Sequence, residues 1–132
     1  CTGCGYCTQH DYSGCSQKDD MAEILEKMIE ADVIVFASPI YFYSVTGQMK
    51  TFLDRCCARY PEMVNKEFYF LVTATDNDES ALEKACDAFR GFLDCLDNPV
   101  EKGSIYAGGV WHKSEIHNTA YKNEAYLMGK KV

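Results

Sequence analysis

The 132-residue chain is 47% hydrophobic and 25% charged, the balance of an ordinary globular domain with enough apolar surface for its own core. A net charge of −7 argues against binding a phosphate backbone or an anionic membrane surface, both of which require clustered Lys and Arg. No apolar run reaches the roughly 18 residues of a membrane span.

Residues 1–18 read as a loop rich in Cys, Gly and Ser, without periodicity. Met21, Ile24, Leu25, Met28 and Ile29 then recur on one helical face, and Asp20 with Glu23 resembles a capping box. Val33–Ala37 is a continuous apolar run. It predicts a central parallel strand buried on both faces and ended at Ser38-Pro39, because proline lacks the ladder donor. Met49, Phe52, Leu53 and Cys56 mark a second helix, and Phe68–Thr73 a second buried strand. A third helix follows over Leu82–Leu93, then a third strand over Ser104–Val110 and a final helix over Asn118–Lys131. This alternation of helices and strands predicts right-handed crossovers, a parallel sheet and helices on both of its faces.

In such sheets ligands bind at the carboxyl ends of the strands. The first of these ends is Ser38, Pro39, Ile40, Tyr41, Phe42 and Tyr43, an apolar and aromatic stretch where a solvated loop should be polar. It suits a flat, partly apolar ligand such as an isoalloxazine ring; a loop covering the core or a subunit contact is the plainer reading. The second end is Thr73, Ala74, Thr75 and Asp76, and the third runs from Gly108 to His112.

Eight cysteines are present. Cys1, Cys4, Cys7 and Cys15 crowd into the first loop at spacings that let neighbouring thiols converge, as soft ligands for an iron–sulfur cluster or zinc; free, redox-labile thiols are the third reading. The other four fall on helical patterns, as small apolar residues do, and a reducing cytoplasm fits both groups. Cys56 and Cys57 are expected to point apart, one buried and one exposed. Lys50 and Asp54 are spaced as a surface ion pair.

Asp19-Asp20-Met21, Ala31-Asp32, Ser38-Pro39-Ile40-Tyr41-Phe42, Thr46-Gly47-Gln48-Met49-Lys50, Phe52-Leu53-Asp54-Arg55 and Ala125–Lys130 follow one another in an order that resembles the flavodoxin-like NAD(P)H-dependent FMN reductases and iron–sulfur flavoproteins. The resemblance implies a flavodoxin-like three-layer α/β/α domain with a parallel sheet, FMN at the strand ends and electron transfer through the flavin. It implies FMN contacts at Ser38–Tyr43 and at Thr73–Asp76, and, in the iron–sulfur branch, a [4Fe–4S] cluster on the four loop cysteines. It further implies NAD(P)H as co-substrate, a quinone, flavin or similar small acceptor, or a protein electron-transfer partner, and a homo-oligomer, with no nucleic-acid or membrane partner. Members of this family begin with a strand, phosphate loop, helix and second strand that have no counterpart here, so we expect an incomplete flavodoxin-like domain over 1–132, or another chain covering the open edge of Val33–Ala37. Three functions stay open: an FMN-dependent oxidoreductase, an iron–sulfur flavoprotein electron carrier, and a non-catalytic truncated or zinc-binding module.

Overall fold

The computed structural model describes all 132 residues. A helical turn, α1 (Tyr6–Gln9), sits inside the cysteine loop, where no regular structure was expected. It is followed by α2 (Met21–Glu30), β1 (Val33–Tyr41), β2 (Ser44–Val45), α3 (Gly47–Arg55), β3 (Glu67–Thr73), α4 (Glu79–Ala85), α5 (Asp87–Leu93), β4 (Val100–Ala107) and α6 (Tyr121–Gly129). β1, β3 and β4 are parallel, and β2 folds back antiparallel on the end of β1, giving the order β2-β1-β3-β4. This is the α/β architecture anticipated from the alternation of elements.

β3 lies between β1 and β4 and is the strand buried on both faces: Phe68, Tyr69, Phe70 and Val72 are all inaccessible. β1 departs from its continuous apolar reading. Ile34, Phe36 and Ser38 are buried, while Val35 and Ala37 face outward, Val35 at 53% exposure. Its edge from Val33 to Ala37 pairs with β3 on one side, whereas β2 reaches only Ile40 and Tyr41 on the other. An apolar groove of about 580 Å³ runs beside this edge, between Met28 and Met49. Pro39 does not end the strand: it is the last rung with β3, and β1 runs on to Tyr41 to pair with β2. Proline is tolerated there because the strand has no partner on its second side at that position.

Phe36 is the centre of the core. Its ring lies 5.1–6.3 Å from those of Phe52, Phe68, Phe70, Phe89 and Phe92, drawn from α3, β3 and α5. α2 adds Met21, Leu25 and Met28, and α4 adds Leu82. α6 packs against β4, with Met128 near Gly103 and Tyr69 on the opposite face of the sheet.

Element ends differ from the sequence pattern for local reasons. Asp20 makes no side-chain cap; Asp19 takes that place, its Oδ1 accepting from Met21 N–H at 3.2 Å. The long third helix is two, α4 and α5, broken at Cys86. β4 starts at Val100 and stops before Gly108, so the last strand lies earlier than its glycine-bearing segment suggested. The final helix starts at Tyr121 rather than Asn118, after a short 3₁₀ turn. Lys66 is 7% exposed, and its ammonium donates to the carbonyl of Ile29 at 2.6 Å, satisfying an orphan acceptor at the C-terminal end of α2 where positive charge is favoured.

Candidate functional site

The tips of the three parallel strands are tied into one surface. β1 and β2 are joined by a two-residue turn, Phe42-Tyr43, with φ of 51° and 59°. Positive φ at both central positions is the pattern of a type I′ hairpin, which matches strand twist but ordinarily takes Asn and Gly. An aromatic residue in that region costs roughly 1–3 kcal/mol, and such strain persists where surrounding structure imposes it, commonly at functional sites. Burial does not compensate: Tyr41 is 64%, Phe42 102% and Tyr43 65% exposed.

The turn is braced at both ends. Ser38 is buried, its hydroxyl donating to the Pro39 carbonyl at 2.8 Å and accepting from Thr46 N–H at 3.2 Å. Thr46 in turn caps α3 by accepting from Met49 N–H at 3.2 Å. Ser38 therefore fastens the base of the hairpin, and its hydroxyl is turned away from solvent. On the other side the Tyr43 hydroxyl donates to Asp76 Oδ2 at 3.3 Å, linking the hairpin to the loop after β3. Thr73 and Thr75 are exposed beside it, with Ala74 and Asp76 half-buried. The tail of β4 is locked to the same loop by Gly109 N–H on the Asp76 carbonyl at 3.1 Å and Val110 N–H on the Ala74 carbonyl at 3.0 Å. A Cβ on Gly108 would lie 2.6 Å from the Asp76 carbonyl oxygen, so only glycine permits this approach. Beyond it Trp111 is 70% exposed, and the backbone N–H groups of Trp111 and His112 both donate to Glu115 Oε2 at 2.7 and 2.8 Å. Those two donors hold the Glu115 carboxyl below the usual carboxylate range.

The three predicted tip segments thus meet. They place the exposed Tyr41, Phe42 and Tyr43 beside the polar side chains of Thr73, Thr75 and Asp76 at one end of the sheet.

The cysteine loop is organised differently. Cys1 Sγ accepts from Gly3 N–H at 3.5 Å, Cys4 Sγ lies 3.7 Å from Ser16 Oγ, Cys7 Sγ lies 3.9 Å from Cys57 Sγ, and Cys15 Sγ accepts from Arg55 Nη2 at 3.9 Å. The four loop thiols and Cys57 border one small cavity of about 30 Å³, yet no three Cys, His, Asp or Glu side chains converge on a point. As arranged, the four do not form a ligand set for a [4Fe–4S] cluster or for zinc. Hydrogen bonds, that from the Tyr6 backbone first and those from Ser16 and Thr2 after it, lower the pKa of the exposed Cys4 thiol.

Two residues that spacing left unassigned hold this loop. Arg55, at the end of α3, donates through Nη1 and Nη2 to both oxygens of Asp19 at 2.7 and 2.9 Å; its side chain is only 12% exposed and its buried Nε has no partner. Arg55 in turn holds the Asp19 carboxyl below its usual range. Cys57 is half-buried, and burial, with Cys7 beside it, raises its thiol pKa; Cys56 next to it is fully buried and pushed up to about 12. Of that pair, expected to be one buried and one exposed, Cys56 is buried and Cys57 is half-buried rather than exposed, because Cys7 and the cysteine loop pack over it. Lys50 and Asp54 form the expected exposed ion pair.

The model of the NADPH-dependent FMN reductase family matches residues 3–104. The chain belongs to that family. An iron-sulfur flavoprotein of Archaeoglobus fulgidus is 53% identical over 55 residues, which are 42% of this chain and 26% of the relative. An iron-sulfur flavoprotein of Methanosarcina thermophila is 44% identical over 55 residues, 42% of this chain and 28% of the relative. The match therefore spans about a quarter of those relatives' length. Among solved structures, the Trp repressor binding protein from Bacillus subtilis superposes with a TM-score of 0.68 at 20% identity, covering 83% of this chain and 70% of that one. An NADH:FMN oxidoreductase in its apo form gives 0.59 at 20% identity, over 90% and 64%. These two likenesses establish the flavodoxin-like fold of this FMN reductase family member.

Proposed function

We propose that this protein is an FMN-dependent oxidoreductase that passes electrons from NAD(P)H to a quinone, a flavin or a similar small acceptor. The observation that carries the reading is the strained hairpin: a fold in this family spends conformational energy to hold Tyr41, Phe42 and Tyr43 out in solvent at the tips of its parallel strands. When bound, FMN supplies the redox chemistry, and the chain supplies position and environment. Tyr41, Phe42 and Tyr43 flank the ring and exclude water from it. Thr73, Ala74, Thr75 and Asp76 meet its polar edge, with Asp76 held in place by the Tyr43 hydroxyl. Backbone groups of Pro39 and Ile40 complete the contact, while Ser38 acts beneath them as the fastening of the turn.

The test is a titration of the protein with FMN, followed by flavin fluorescence, and an assay of NADH and NADPH oxidation with a quinone acceptor. Saturable quenching with turnover supports the reading. Absence of both binding and turnover defeats it.

A second reading is favoured by the two iron-sulfur flavoprotein relatives: an electron carrier with a cluster on Cys1, Cys4, Cys7 and Cys15 and a protein as redox partner. It requires the loop to rearrange. Anaerobic protein with iron and acid-labile sulfide near four each per chain supports it; iron-free protein with full flavin turnover rejects it. A reducing cytoplasm suits either reading, because cluster ligation and labile thiols both need cysteines kept reduced. The exposed aromatic hairpin also offers a surface for the homo-oligomer expected from the family resemblance, which sedimentation with and without FMN would measure.

A further inference from the structure

Two observations away from the strand tips point to the same pair of sulfurs. Cys7 on α1 and Cys57 just after α3 face each other with Sγ atoms 3.9 Å apart, 50 residues distant in the chain. Other thiols contact oxygen or nitrogen instead: Cys4 meets Ser16, Cys15 meets Arg55, Cys56 the Phe52 carbonyl and Cys95 the Gly91 carbonyl. Secondly, Cys57 borders both the small thiol cavity and a larger one of about 570 Å³ walled by Tyr12, Leu53, Tyr60 and Phe92. A small molecule in the larger space reaches Cys57 but not Cys56, which is sealed in the core.

The remaining obstacle is closing 3.9 Å to a disulfide bond of about 2.05 Å. α1 is a four-residue turn with no fully buried residue, and Cys7 touches the core only from its rim, so a small inward shift of Cys7 displaces no buried side chain of its own helix.

We propose that Cys7 and Cys57 are a redox-active dithiol that forms a reversible disulfide with low-molecular-weight disulfides entering through the Tyr12–Phe92 cavity. Cys57 Sγ attacks one sulfur of the small disulfide, forming a mixed disulfide and releasing one small thiol. Cys7 Sγ then attacks the Cys57 sulfur, forming the Cys7–Cys57 bond and releasing the second small thiol. The protein pair loses two electrons and two protons, and the small disulfide gains them. The oxidised pair removes Cys7 from the loop motif, so metal loading of that loop and the disulfide exclude one another at Cys7. The proposal rests on the sulfur positions and stands whether or not FMN binds.

The experiment is anaerobic incubation of reduced protein with oxidised glutathione, acid quench, alkylation and non-reducing peptide mapping by mass spectrometry. The expected result is the Cys7 and Cys57 peptides joined with loss of two hydrogens, reversed by dithiothreitol, with Cys56 and Cys86 alkylated only after denaturation. Cys57→Ser should abolish that species, and Cys15→Ser should retain it. Cys7→Ser should trap glutathione on Cys57, and protection of Cys56 and Cys86 in the same sample shows that the variant is folded. Joined peptides drawn only from Cys1, Cys4, Cys7 and Cys15 would overturn the proposal, as would a stable glutathione adduct on Cys57 in the unmutated protein.

Discussion

The hairpin at the strand tips and the cysteine loop are placed at opposite ends of α3, a helix spanning roughly 13 Å from its nine residues, and they are held by opposite means. The hairpin carries strain locally and rests on a buried foundation: its strand contains Phe36, around which five other phenyl rings assemble. The loop contains left-handed residues of its own at Asp11 and Tyr12 and has no fully buried residue; Cys7 and Cys15 touch the rim of the core, Tyr12 packs edge-on against Tyr60, and Arg55 tethers its end by a bidentate ion pair to Asp19. The region that exposes its aromatic side chains is anchored by packing beneath it. The region that gathers the loop thiols has no fully buried residue and leans on the charged Arg55–Asp19 pair.

The largest expected effect removes the foundation. Phe36→Ala should lower unfolding free energy by about 3–5 kcal/mol in a denaturant melt, the range for a buried phenyl replaced by a cavity. FMN binding should fail with it, while accessibility of Cys1 and Cys4 to alkylation changes little. Next comes the tether. Arg55→Met removes both hydrogen bonds to Asp19 and should lower the midpoint of the same denaturant melt, and it should speed alkylation of Cys7 and Cys15 with no change in flavin affinity. The same pair predicts an acid limb. Asp19 has its folded pKa depressed by Arg55, so its contribution is full above the ordinary carboxylate value of about 3.9 and is lost as pH falls through the lower folded value. Thermal melts from pH 5 to pH 2 should show this loss in the unmutated protein and less of it in Arg55→Met.

At the tips, Gly108→Ala drives a methyl group into the Asp76 carbonyl and should cost about 2 kcal/mol, with weaker FMN binding and unchanged thiol reactivity. The smallest effect has the opposite sign. Phe42→Asn with Tyr43→Gly gives the turn the residues its backbone favours and should raise stability by about 1 kcal/mol. Flavin affinity should fall about tenfold or more, since lost aromatic contacts of about 1.4 kcal/mol correspond to that factor. Gain of stability with unchanged affinity would show that the strain serves something other than ligand contact.

Much of this was legible in the residues. Phe68–Thr73 declared a buried strand, the spacing of Met21, Leu25 and Met28 declared a helix face, and the apolar stretch Ile40–Tyr43 declared a surface that water alone does not explain. Periodicity carries such information because burial repeats with the backbone. It did not carry the outward turn of Val35, since a continuous apolar run says nothing about which neighbours cover it. Nor could it carry the break at Cys86, or the role of Ser38, which depends on bonds to Pro39 and Thr46. The cysteine spacing suggested four convergent thiols, but a pattern within 15 residues cannot register Arg55 and Cys57, 40 and 50 residues downstream of the thiols they meet.

Lys66 extends this argument to an assay. Its ammonium is enclosed at the junction between the end of α2 and the start of β3, engaged with one carbonyl and nearly out of reach of solvent. An amine-directed label applied to the native protein should therefore mark the exposed lysines quickly and Lys66 only when that junction opens. The rate at which this position acquires label becomes a site-specific clock for breathing of the central crossover, independent of whatever is bound at either end of α3.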